Sequence, residues 1–97
     1  MFSWFDARDA QQFGNSLAEF FIERTPSDKE GKDGKLTEAH QRVLEKMLQQ
    51  ISIYNTNHKM NLFKKAKLAN SFKWKLLDAN YSATLVDEIT KVLLVNF

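Results

Sequence analysis

His40 and His58 are the two side chains of this 97-residue sequence that ordinarily titrate near neutral pH, and eighteen positions separate them. The sequence contains no cysteine, which removes thiolate nucleophiles, disulfides and cysteine-ligated zinc. No His-Glu-x-x-His spacing, glycine-rich phosphate loop or nucleophile-elbow sequence occurs. His40 falls on the first turn of a predicted helix, in phase with Met47 and Ile51, the position of a capping or partly buried ring rather than a ligand. His58 falls in a turn beside Lys59, the setting of an exposed histidine. Asp9, Glu19 and Glu23 lie on the polar side of the first predicted helix, away from Phe13 and Leu17, and read as a solvated face rather than an acid/base pair. Residues 26–35 invite comparison with a calcium loop, but the spacing fails. With Gly34 sixth, the first and twelfth ligands are Lys29 and His40; with Gly31 sixth, the first is Pro26. The sequence therefore predicts no catalytic residue, no metal ligand, no cofactor and no evident small-molecule substrate. It reads as a non-enzyme.

Charge is the more informative property. The net charge of +2 conceals a segregation: residues 46–77 carry seven lysines and no acid, whereas the flanking segments are net acidic. On a helical wheel Lys64, Lys67 and Lys75 share one side of the third predicted helix, with Lys65 nearby and Trp74 at the edge. Lysines beside an aromatic ring suit phosphates and stacked bases. The segment lacks arginine, the preferred reader of base edges, and a solvated lysine face is the plainer expectation.

The elements that position these residues follow from apolar periodicity. The expectation is an all-α, single-domain chain (1–97) forming a bundle of four helices, at about 3–24, 37–55, 59–79 and 82–96, with a charged loop at 26–35. The first helix is expected to start at Ser3, with Asp6 completing a capping box. It bears Ala10, Phe13, Leu17, Phe20 and Phe21 on one arc, with Gly14 beside it at a point of close helix packing. Pro26 ends it after Arg24. Thr37 caps the second helix, whose arc is Val43, Leu44, Met47, Leu48, Ile51 and Tyr54, and Asn55, Thr56 and Asn57 are expected to loosen it. Glu38 and Arg42 are placed to pair along it. In the third helix the expected buried face is Leu62, Phe63, Ala66, Ala69, Leu76 and Leu77, an arc that also contains Lys73. Asn80 is suited to the left-handed residue after that helix. Ser82 caps the fourth, with Tyr81 and Val86 as a hydrophobic staple and Asp87 pairing with Lys91.

Several large apolar residues fall outside these arcs: Trp4, Phe5, Ile22, Ile53, Leu94 and Val95. Together they favour a contact surface for another protein or for a second copy of the chain. The expected role is thus a cytoplasmic protein-interaction or structural module, a candidate homodimer, with Trp4, Phe5, Ile22, Lys64, Lys67, Trp74 and Lys75 as candidate interaction residues. Nucleic acid, through the lysine-rich third helix, is the alternative partner. No membrane span is expected, because no apolar run approaches ~18 residues.

Overall fold

A computed structural model describes residues 7–25, 37–58 and 60–96. Four helices follow in order: α1 (Arg8–Arg24), α2 (Glu38–Asn57), α3 (Leu62–Asp78) and α4 (Ala83–Val95), with no strand among the described residues. Residues 72–76, in which apolar side chains alternate with lysines as they would along a strand, are helical.

Local chemistry fixes most of the boundaries. Thr37 Oγ1 accepts from the His40 N–H, and His40 Nδ1 accepts from the Thr37 N–H, a reciprocal capping box closed by a histidine. Asn61 and Ser82 cap α3 and α4 by accepting from the N–H groups of Lys64 and Leu85. At the end of α3, Asn80 takes φ 72°. The Asn80 N–H then reaches Leu77 O and the Tyr81 N–H reaches Leu76 O, which satisfies two orphan carbonyls in a Schellman arrangement. Tyr81 and Val86, the staple residues, are both buried in the main core. Within the described residues α1 begins at Arg8 after an Ala7 that supplies no side-chain cap. The expected Ser3 and Asp6 box lies outside the described residues, as do the loop at 26–35, Trp4 and Phe5.

Three expectations are corrected. First, α2 does not loosen at Asn55 but continues to Asn57. Thr56 and Asn57 donate to Ser52 O and Ile53 O, so residues that often end a helix here bind its own carbonyls. Second, the buried line of α3 is Leu68, Phe72 and Leu76, while Leu62 is 81% exposed and Ala66 is exposed. The core arc is rotated by about one residue, roughly 100°, from the expected one. That rotation carries Lys73 from the arc's centre to its edge, where its ammonium meets Asp87 on α4 at 3.4 Å. Third, the ion-pair partner of Asp87 is therefore Lys73 rather than the expected Lys91.

Pairwise contacts define the topology. Phe13 stacks on Tyr54 and Phe21 on His40, so α1 and α2 are antiparallel. Gly14 lies at Leu68 and Ser71, and Glu19 meets Lys75, so α1 and α3 run parallel. Asn55 Nδ2 donates to Asn96 O, which brings the C-terminal ends of α2 and α4 together. The main core joins all four helices around Phe21, Phe72, Leu17, Met47, Ile51 and Ile89. A smaller cluster of Ala7, Ala10 and Leu68, with Phe13, Met60 and Phe63, closes the opposite end of the α1–α3 pair.

The α1–α3 interface is the closest in the molecule because α1 presents Ala10, Gly14 and Ala18 at a four-residue spacing, all buried. A Cβ placed on Gly14 would stand 2.5 Å from Leu68 O and 3.3 Å from Ser71 Cβ. Glycine is required there by the approach of a neighbouring backbone, not by its own dihedral angles.

Candidate interaction surfaces

The bundle has two distinct ends. At one, His40 stacks on Phe21 at 5.6 Å, Phe21 tilts against Tyr81 at 5.3 Å, and Thr25 Oγ1 lies 3.3 Å from the Tyr81 hydroxyl while donating to Phe21 O at 2.6 Å. His40 and Thr25 are buried and bonded, so this end is structural. Among the described residues no group of three or more His, Asp or Glu side chains converges as a metal site would need.

At the other end, α2 and α4 finish and α3 begins. Phe13, Tyr54 and His58 form a three-ring stack, with successive centroids 4.1 and 4.0 Å apart and planes within 8°. Partial burial pushes the Tyr54 phenol above its ordinary 10.0, and the negative charge of Asp9 adds to the shift. Three strongly exposed aliphatic side chains lie toward the helix ends at this pole: Ile53 at 65% on α2, Leu62 at 81% on α3 and Val95 at 80% on α4. They come from the terminal turns of three helices, which the Asn55–Asn96 hydrogen bond and the Met60–Phe63 cluster hold at one pole. Ile22, by contrast, is half-buried and packs against the main core.

The long flank of the bundle carries a shallow groove of about 450 Å³ between α1 and α3. Gln11 and Asn15 supply one wall; Lys67, Asn70, Ser71, Trp74, Lys75 and Asp78 supply the other. Trp74 is 62% exposed. The Lys67 ammonium stands 5.5 Å from the centre of the Phe63 ring. The Lys75 ammonium meets Glu19 at 3.3 Å, the acidic face of α1 answering the basic face of α3 within one bundle. The structure thus brings Lys67, Trp74 and Lys75 together; Lys64 sits near the start of α3, outside the groove lining. With Asp78 in the lining and Glu19 on Lys75, the groove is close to electrically balanced.

A third feature had only half a signal in the sequence. A hollow of about 220 Å³ between α1 and α2 is lined by Arg24, Arg42, Val43 and Lys46. Arg42 and Lys46, one turn apart, share a helix face and are legible as a basic pair; Arg24 reaches them only through the folded bundle. Among the described residues, no helix is long and apolar enough to cross a membrane. Comparisons with protein-family models, with curated proteins and with solved structures returned no match.

Proposed function

We propose that the chain is a non-catalytic interaction module that self-associates through the pole where α2 and α4 end and α3 starts. The observation that supports it is the exposure of three large aliphatic side chains, Ile53, Leu62 and Val95, one on each of three helices toward that pole and each at least 65% exposed. Scattered exposed aliphatics are ordinary, whereas several at one pole mark a contact surface. Burial of such side chains contributes on the order of 25 cal/mol per Å², and a two-fold pairing of the pole brings each side chain onto the same patch of the second copy. Sedimentation equilibrium should give a weight-average mass that rises with concentration, and Ile53→Asp with Val95→Asp should hold the protein monomeric. Trp74→Ala, on the flank, should leave assembly unchanged. A strict monomer at ~1 mM would defeat the reading.

A second reading has its own support: Trp74 stands exposed in a groove whose lining includes Lys67, Lys75 and three side-chain amides, with Asp78 as its acid. That is the composition of a platform for single-stranded nucleic acid, with a ring to stack on a base and cations for phosphates. Binding of a single-stranded oligonucleotide should weaken as salt rises, and Trp74→Ala or Lys67→Glu should abolish it at low salt. Binding that survives both substitutions removes this reading.

A further inference from the structure

We infer that the hollow formed by Arg24, Arg42 and Lys46 is a binding site for a phosphate group carried on a small molecule, distinct from both the apolar pole and the Trp74 groove. Among the described residues its lining is three cationic side chains and the buried Val43. Two of the chain's three arginines are used to build it, and arginine offers the planar, forked donor set that fits phosphate oxygens.

The arginines are also prepared for a ligand. The Arg24 guanidinium lies over the Phe20 ring, 3.7 Å from its centre, which fixes its plane. Both hydrogen bonds of Arg24, to Phe20 O and to Glu23 Oε1 at 3.3 Å, are made by Nη1. Nη2 and Nε therefore keep their donors for another acceptor. Arg42 is held more loosely: its Nη2 is 3.9 Å from Glu38 Oε1, beyond hydrogen-bond reach, and both side chains are well exposed. Glu23 bonds Arg24 and Glu38 stands near Arg42, and neither is among the described residues that line the hollow. Arg42 and Lys46 repel each other one turn apart on α2, and Arg24 adds a third positive charge across the gap. A bound dianion relieves that repulsion. The hollow is several times the ~30 Å³ that one water molecule occupies in the liquid, enough for a phosphate and the first atoms of its ester. Sequence alone does not reveal the site, since α1 contributes one cation and α2 the other two.

The test is a titration of the intact protein with inorganic phosphate and with pyrophosphate at constant ionic strength, followed by backbone amide shifts, with chloride as control. Saturable shifts centred on Arg24, Arg42, Val43 and Lys46 are expected. Arg42→Gln and Lys46→Gln should each weaken pyrophosphate at least ten-fold, and Arg42→Lys, which keeps charge but loses the fork, should weaken it by a smaller factor. Lys67→Gln, on the far groove, should change affinity less than two-fold. Arg42 and Lys46 are exposed, so helicity and melting temperature should stay at wild-type values, which separates lost binding from lost folding. A parallel arm uses vesicles containing a phosphatidylinositol phosphate: binding of free pyrophosphate assigns a soluble ligand, while vesicle binding alone, lost in Arg42→Gln, assigns a lipid headgroup as source of the same chemistry. The inference is overturned if neither probe saturates, or if Lys67→Gln weakens binding as much as Arg42→Gln does.

Discussion

Tyr54 shows how one residue reports on its surroundings. Its ring lies between Phe13 and His58, and partial burial, aided by Asp9, makes its phenolate harder to form than in water. A phenol whose folded value is raised binds its proton more tightly in the native state. The stability it contributes is thus fully present below pH 10.0 and is lost as pH rises from there through the higher folded value. Phenolate absorbance should show Tyr54 titrating above its ordinary 10.0, and Asp9→Asn should bring the midpoint down part of the way. A Tyr54 midpoint at or below 10.0 would contradict the stack as described. At this scale the sequence was legible where a residue answers to its own helix. The placement of His40 at the first turn, and of Thr37, Asn80 and Ser82 at helix ends, follows from bonds within a few positions. The pairing of Lys73 with Asp87 and the convergence of Arg24 on Arg42 depend on how helices dock, and local pattern does not carry that.

At the scale of elements, α3 teaches the most. Its expected face put Lys73 among apolar residues, a conflict that the observed phase removes without a kink at Asn70 and Ser71. Turning the helix by about one residue brings Leu68 and Phe72 inward and releases the lysine to Asp87. The sequence leaves the phase ambiguous because Leu62, Phe63, Ala66 and Leu77 supply a second apolar stripe, part of which the fold leaves in solvent. What settles the phase is the α1–α3 approach at Gly14. Gly14→Ala raises helix propensity by ~1 kcal/mol but forces Cβ against Leu68 O, and overpacking of this kind costs ~1–3 kcal/mol. The helices must separate to admit the methyl group, so a net loss of about 1 kcal/mol is expected, read as a lower urea midpoint at unchanged slope. A stabilised variant would show that the two backbones are further apart than described. By contrast, the Lys75–Glu19 bridge across the same interface is partly exposed and contributes at most ~1 kcal/mol.

For the whole molecule, the four apolar arcs specify a bundle, and the bundle is what forms; the order of helices around it was not legible. Consecutive helices α1 and α2, and α3 and α4, are antiparallel, yet the tightest partnership joins α1 to α3 in parallel. The same arrangement collects Ile53, Leu62 and Val95 at one pole although they are scattered along the chain. If that pole pairs with a second copy, the thermal midpoint should also rise with protein concentration, since association stabilises the folded state by mass action. The parallel α1–α3 contact has a further consequence for the chain as it is made. Proteins are synthesised from the N-terminus at ~5–20 residues/s, so the stripe of Ala10, Gly14 and Ala18 waits roughly 3–10 s before Leu68 and Ser71 follow it out. The nascent protein therefore passes through a stage in which this stripe of α1 is uncovered, and its completion is tied to the rate at which the residues between α1 and α3 are translated.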